Sequence, residues 1–238
     1  MWGIRDWTWQ QWQEIVSYYF AVITELDHHI GRVIAALERH GLLDDTLVIY
    51  TTDHGDFCGG HGLIDKHFSM YDDIVRVPLV LRWPAGIAPN SVCDAFVTHE
   101  LDIARTLLDA AGIAAPDSFM GMNLLDLAAQ RVPHRTDIFS QYFGTESGMY
   151  SVRMVRDRDF KYVYNPTAFD ELYDLRNDPG EIHNRIDDPG LKDELARLKQ
   201  RLSAWMSSVR DPLDNFWIKT DLLGAPNRAQ AAGLAPLP

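Results

Sequence analysis

The chain has 238 residues, with 22 Lys and Arg against 34 Asp and Glu, a formal net charge of −12, and 46% hydrophobic residues. Its length suits one large domain or one and a half small ones, and its composition is that of an ordinary globular protein. The charge argues against nucleic acid, which needs clustered Lys and Arg, and no apolar run reaches the length of a membrane span. Apolar positions at Ile15, Tyr19, Val22, Leu26, Ile30, Val33 and Leu37 predict one long amphipathic helix over residues 14–40, capped by Gly41. Asp27, His28 and His29 fall within it; adjacent residues cannot share a helix face, so the two histidines read as solvated.

The next stretch, Leu47-Val48-Ile49-Tyr50-Thr51-Thr52, is a run of apolar and β-branched residues that ends abruptly in Asp53-His54-Gly55. Such a run reads as a buried strand of a parallel sheet flanked by helices. Ligands of open α/β sheets sit beyond the carboxyl ends of strands, where Asp53 and His54 fall. A loop from Asp56 to Asp73 follows, with Gly59-Gly60-His61-Gly62 and Lys66-His67 in it. Its length, glycines and ionisable groups suit an active-site loop. Asp offers a hard oxygen and His a borderline nitrogen, a pair that suits Mn²⁺, Zn²⁺ or Fe better than Ca²⁺. Lys66 is a compact cation able to meet a tetrahedral anion. Two ligands do not complete a catalytic metal site, so a solvated loop stands as the alternative.

Val77 to Trp83 predicts a second strand, closed by Pro84, with Pro78 favouring an edge or first position. A helix from His99 to Ala111 follows, then a short one over Leu124–Gln130 and a strand over Asp137–Phe143. From Met149 the pattern changes to alternation. Tyr150, Val152 and Met154, then Phe160, Tyr162 and Tyr164 across Asp157-Arg158, predict an antiparallel hairpin, with Glu171–Leu175 as a third strand. Asp188-Pro189 marks a helix start, and Leu191, Leu195, Leu198, Leu202 and Trp205 form its apolar stripe. From Gly224 an Ala-, Pro- and Gly-rich tail is expected to pack loosely. Cys58 and Cys93 make no disulfide framework and imply free thiols. No signal peptide is visible at the N-terminus, so a cytoplasmic location is the default, with periplasm or export open should a signal lie upstream.

The segment Asp45 to Asp56, then Gly60-His61-Gly62-Leu63, Lys66-His67 and Arg76 to Pro84, resembles the sulfatase family of the alkaline phosphatase superfamily. So do Tyr18 to Leu37, Asp102 to Gly112 and Glu171 to Glu181, and the likeness spans most of residues 15 to 210. It implies an α/β fold, a mostly parallel sheet sandwiched by helices, with a small C-terminal subdomain of antiparallel sheet plus helix. The corresponding division is 1–145, 146–223 and a tail of 224–238. Asp53 and His54 match the family's late metal-ligand pair, and Lys66 matches its lysine that contacts the transferring group. His61 and His67 either order the loop or touch substrate. The implied cofactor is one divalent metal, Ca, Mn or Zn, with His54 favouring Mn or Zn.

His54 stands where many sulfatases have Asn and is more like the phosphonate monoester hydrolase and phosphodiesterase branch. The implied partner is a small-molecule sulfate, phosphonate or phosphate ester; a homo-oligomer is compatible with the sequence. The family's early Asp pair and its Cys/Ser-x-Pro-x-Arg motif, source of the formylglycine nucleophile, are not found: Cys58 precedes Gly59-Gly60 and Cys93 precedes Asp94-Ala95. The chain is therefore expected to be the C-terminal half of a sulfatase-like hydrolase of sulfate esters. The first part of the sheet and the formylglycine would lie upstream, and the isolated chain would be inactive. The alternatives are a phosphonate or phosphodiester hydrolase and a non-catalytic remnant that binds an anion or a partner.

Overall fold

The computed structural model describes residues 4, 6–66, 68–144 and 150–224, and two compact units divide the chain at His134/Arg135. All but Gly224 of the expected 224–238 tail, and His67, lie outside the described residues.

The first unit opens with α1, Trp9–Arg39, which begins five residues before the expected start. Thr8-Trp9-Gln10-Gln11 is a helix-start pattern of the capping-box kind, and the Gln11 side-chain oxygen accepts the Thr8 N–H at 2.9 Å. At the other end Gly41 adopts φ +68°, and the N–H groups of Gly41 and Leu42 donate to the carbonyls of Glu38 and Leu37 at 3.0 and 2.9 Å. These two bonds form the glycine cap the sequence predicts. His28 and His29 are exposed, as expected of solvated positions. No residue of α1 is fully buried, and Trp9, Tyr18, Phe20, Val22 and Val33 are each more than half exposed.

Strand β1 spans Val48–Thr51 and β2 spans Leu79–Arg82. They pair antiparallel, Val48 opposite Arg82 and Thr51 opposite Leu79, so the parallel pairing expected of β1 is not found among the described residues. The connection doubles back on itself: Gly55 N–H donates to Ile74 O at 2.9 Å, so the chain enters β2 beside the end of β1. A short helical turn, α2 (Asp72–Val75), sits where a parallel crossover would need a long connection. Arg82 then ties the pair to the turn before β1, through Leu43 O at 2.6 Å and Asp44 Oδ1 at 2.9 Å.

Helices α3 (His99–Ala110) and α4 (Leu124–Ala128) are joined through Asp102, whose side chain is wholly buried. One carboxylate oxygen accepts Thr98 N–H at 2.8 Å and the other Met122 N–H at 2.7 Å. The buried Thr106 hydroxyl donates to Asp102 O at 2.6 Å and accepts Leu124 N–H at 2.9 Å. A buried carboxylate is tolerable here because its acceptor sites meet donors.

The second unit is an antiparallel four-stranded sheet in the order β3–β4–β5–β6: Ile138–Gly144, Tyr150–Arg156, Phe160–Tyr164 and Glu171–Asp174. The division falls ahead of the expected 145/146 because β3 pairs with β4 along its whole length, from Ile138–Arg156 to Gly144–Tyr150. Asp157 closes the β4–β5 hairpin, its carboxylate accepting the N–H groups of Asp159 and Phe160 at 2.8 and 2.7 Å. Helix α5, Lys192–Ser208, follows a short Pro189–Leu191 turn whose first N–H groups are met by Asp188. Leu198, Leu202 and Met206 of α5 pack on Val155, Phe160, Tyr162, Tyr164 and Leu172 of the sheet. The core also takes Leu222 from α6 (Phe216–Leu223), which the sequence reading did not anticipate. The phenols of Tyr162 and Tyr164 donate to Asp170 and Asp221 at 2.6 and 2.7 Å. Burial, with those carboxylates, pushes both phenols far up.

Two cations are fully buried in this sheet. Arg153 pairs with Asp211 through Nε–Oδ2 at 2.5 Å and Nη2–Oδ1 at 2.9 Å, and Lys161 meets Glu181 at 2.6 Å. Burial pushes the Asp211 carboxyl up, but the Arg153 hydrogen bonds, the Leu213 N–H and the Arg153 charge outweigh it and hold it below the ordinary range. Its contribution to stability is therefore complete above the unfolded carboxylate value of ~3.9 and is lost as pH falls through the lower folded value. Asp211→Asn or Arg153→Met leaves a buried group without its partner and should cost about 3–5 kcal/mol in urea unfolding of the full chain. The double variant Arg153→Met/Asp211→Leu should recover most of that loss, and Asp211→Asn should flatten the acid limb of the stability curve. A single variant as stable as wild type would show that the pair does not hold this unit.

Candidate functional site

The end of β1 carries the candidate donors. Asp53 Oδ1 accepts the His54 N–H at 3.0 Å and the Thr52 hydroxyl at 3.2 Å, leaving Oδ2 turned to His54 Nε2 at 3.5 Å. The other ring nitrogen, Nδ1, lies 2.8 Å from Gly55 O. The Asp53 side chain is largely exposed and the His54 ring about a third exposed. Desolvation pushes the Asp53 carboxyl up, but the backbone N–H groups of His54 and Asp53, the His54 ring and Thr52 together prevail and hold it low. An ionised oxygen and an imidazole nitrogen this close are a donor set that fits one side of a divalent ion's shell. Among the described residues no group of three or more His, Cys, Asp or Glu is gathered closely enough to hold a metal.

Gly55 is required by packing. Its φ lies outside the left-handed region, but a Cβ there would sit 1.8 Å from the backbone oxygen of Asp73. The α2 turn thus presses directly on the residue after the donor pair. The same turn reaches the glycine loop. His61 Nε2 is 4.0 Å from Asp73 Oδ2, and the His61 ring stacks on Tyr71 with centroids 3.8 Å apart. Phe57, buried, meets both rings edge-on at 5.9 Å. The loop is knitted by Phe57 N–H to Asp65 O at 3.1 Å and Gly59 N–H to Leu63 O at 2.9 Å.

Lys66 is exposed, its backbone N–H donating to Asp65 Oδ1 at 2.8 Å. Among the described residues no hydrogen bond or ion pair joins its ammonium to Asp53 or His54. The structure thus brings Asp53 and His54 together, packs His61 among aromatic rings, and leaves Lys66 on the open face of the loop. Burial and the nearby Asp56 carboxylate push the Cys58 thiol up, the opposite of an activated nucleophile. The sequence reading passed over Thr51 and His99. Thr51 Oγ1 donates to Pro78 O and faces His99 Nε2, both at 2.8 Å, tying the end of β1 to β2's entry and to the first turn of α3. The only signal was a Thr-His pair at a helix start.

A family model described as "Sulfatase" matches residues 4–113, and one described as "N-sulphoglucosamine sulphohydrolase, C-terminal" matches residues 59–208. "Uncharacterized sulfatase YidJ" of Escherichia coli K12 is 40% identical over 202 residues, covering 83% of this chain and 39% of that protein. "N-acetylglucosamine-6-O-sulfatase" of Bacteroides thetaiotaomicron is 33% identical over 183 residues, 73% of this chain and 32% of that protein. Among solved structures, one in complex with its substrate D-glucosamine-2-N,6-O-disulfate aligns at TM-score 0.75 and 31% identity, over 82% of this chain and 40% of that one. The phosphonate monoester hydrolase of Agrobacterium radiobacter aligns at TM-score 0.74 and 29% identity, over 86% and 43%. The chain therefore spans about two fifths or less of these two curated relatives, and with both family models matching along it, it belongs to the sulfatase family.

Proposed function

We propose that this chain supplies the C-terminal part of a metal-dependent hydrolase of sulfate esters. The observation that carries the reading is the Asp53–His54 donor pair, 3.5 Å apart at a strand end, in a chain of the sulfatase family. In this reading the first unit, through His134, is the later portion of a larger α/β domain with a mostly parallel sheet, and the second unit, with β3 paired to β4, forms its small subdomain. The apolar residues exposed on α1 support that reading, since a face of this kind is normally covered. The first strands and the nucleophile come from polypeptide matching the part of the relatives that this chain does not span.

Asp53 Oδ2 and His54 Nε2 would hold one side of a divalent ion, Mn or Zn by the nature of the nitrogen donor. Such an ion, when bound, polarises a non-bridging oxygen of the ester. Lys66 brings a compact positive charge to the same anion, and charge placed there stabilises the transferring group. His61, by contrast, serves the loop: stacked on Tyr71 and close to Asp73, it holds the glycine turn that carries Lys66. His67 keeps the two roles the sequence allows, loop ordering or substrate contact. A second reading, hydrolysis of phosphonate monoesters or phosphodiesters, is favoured by His54 and by the likeness to the phosphonate monoester hydrolase.

In the complete gene product carrying this chain, aryl sulfate turnover should be lost on chelation or with Asp53→Ala or His54→Ala. Lys66→Ala should lower kcat/KM by about 10²–10³. Turnover indifferent to all three residues would remove the assignment, and a preference for phenyl phosphonate over aryl sulfate would select the second reading. The 238-residue chain alone should turn over neither ester. For His61, hydrogen exchange separates the roles: His61→Ala should speed exchange of the Gly59 and Leu63 amides by about two- to ten-fold, the equivalent of one aromatic stack. His61→Phe should restore protection, whereas equal protection in all three proteins would put His61 outside the loop's support.

A further inference from the structure

The loop that carries Lys66 turns left-handed at five positions: Cys58 at φ +44°, Gly59 at +100°, His61 at +53°, Gly62 at +69° and Asp65 at +65°. Glycine takes such a conformation without strain, and it stands at two of the five. Asp65, the last of them, is of a type that enters this region when its short side chain bonds locally. It does so here: Oδ1 accepts the Lys66 N–H at 2.8 Å, while the Asp65 carbonyl accepts the Phe57 N–H at 3.1 Å and closes the base of the loop. A glycine at 65 would make the same turn, but it would not hold the amide of Lys66.

Both bonds bear on the residue that follows. Phe57 is buried and packed against the His61 and Tyr71 rings, so its bond to Asp65 ties the loop's exit to a fixed floor. The Asp65 carboxylate then takes the Lys66 N–H, which sets the direction in which the Lys66 side chain leaves the loop. Lysine has a long, rotamer-rich side chain, and without that bond it would start from a backbone free to rock about the Asp65 turn. We infer that Asp65 is a positioning residue for Lys66: its carbonyl anchors the loop's exit on Phe57, and its carboxylate holds the Lys66 amide so that the ammonium stands on the open face. This rests on the reading of Lys66 as the cation that meets the ester's anionic group. It adds the reason an acidic residue stands beside that cation, since one carboxylate oxygen is committed to a backbone N–H.

The test separates the side-chain bond from the turn. In the complete gene product, Asp65→Gly keeps the left-handed turn and loses the acceptor. It should lower kcat for aryl sulfate about three- to thirty-fold with little change in KM, a part of the loss expected of Lys66→Ala. Asp65→Asn keeps an acceptor and tolerates the same backbone, and should recover most of that loss. With Lys66→Ala already in place, Asp65→Gly should cost nothing further, because a residue that acts only through Lys66 has nothing left to position. In the 238-residue chain, exchange of the Lys66 amide is compared after correction for each sequence's intrinsic rate. It should be about two- to ten-fold faster in Asp65→Gly than in wild type or Asp65→Asn, the equivalent of one hydrogen bond. An Asp65→Gly enzyme as active as wild type reduces Asp65 to a turn former and overturns the inference. So does an Asp65→Asn enzyme as impaired as Asp65→Gly, or a loss that persists without Lys66. A Lys66 amide unprotected in wild type overturns it without needing any variant to fold. If Lys66→Ala leaves turnover unchanged, the assignment of Lys66 to the ester fails, and amide exchange alone decides whether Asp65 holds the Lys66 backbone.

Discussion

The contact between Gly55 and the backbone of Asp73 and Ile74 is the constraint on which the first unit's site depends. Eighteen residues separate Gly55 from Ile74 along the chain, yet a hydrogen bond to Ile74 and a close approach to Asp73 make them neighbours. That contact reverses the chain so that β2 lies antiparallel to β1, and it fixes the carbonyl that the His54 ring uses. It also brings Asp73 within reach of His61, so the donor pair and the glycine loop share a support. Removing a Cβ at one position thus sets the register of a strand pair and the orientation of a ring.

Elsewhere, buried charge is handled by one rule at several scales. Asp102 is sealed between α3 and α4 with backbone N–H groups on both oxygens, and Arg153 and Asp211 exchange two parallel hydrogen bonds where neither is exposed. In each place the desolvation cost is offset by geometry that leaves the ionised group well partnered. The donor pair at Asp53 and His54 differs. It is open to solvent, with one carboxylate oxygen engaged by Thr52 and the His54 N–H and the other 3.5 Å from His54 Nε2.

What could be read from the sequence was local. The Gly41 cap, the end of the strand at Asp53, the Asp157 hairpin and the Asp188 helix start each depend on residues within a few positions, and the structure has all of them. Pairing direction was not local: a β-branched run looks the same in a parallel or an antiparallel sheet, and Gly55 and Ile74 decided between them. Alternation misled in a subtler way. Arg153 and Lys161 sit at polar positions of alternating strands, which suggests a wet face, yet both are fully buried because Asp211 and Glu181 arrive from far along the chain. Helix α6 escaped because Phe216-Trp217-Ile218 clusters its apolar residues instead of spacing them at helical intervals. At the candidate site, adjacency singled out Asp53 and His54, and loop ordering was one of the two roles the sequence left open for His61; its setting between Phe57 and Tyr71 did not show, since those rings are fourteen positions apart in sequence and come together only in the fold.

The two units differ in how far they satisfy themselves. In the second, sheet and helices share a core in which Val155, Tyr162, Leu172, Leu198 and Leu202 lose essentially all contact with water. In the first, the longest helix has no fully buried residue while it displays Trp9, Tyr18, Phe20 and Val22. Burying a large apolar side chain is worth roughly 1.5–3 kcal/mol, so several left in water on one helix are a large stabilisation forgone. The donor set has the same character, since two ligands at a strand end are short of the three or more that a catalytic ion needs. Both features lie in the first unit: apolar side chains of α1 left exposed among the described residues, and a donor pair that alone is too few to hold a catalytic ion.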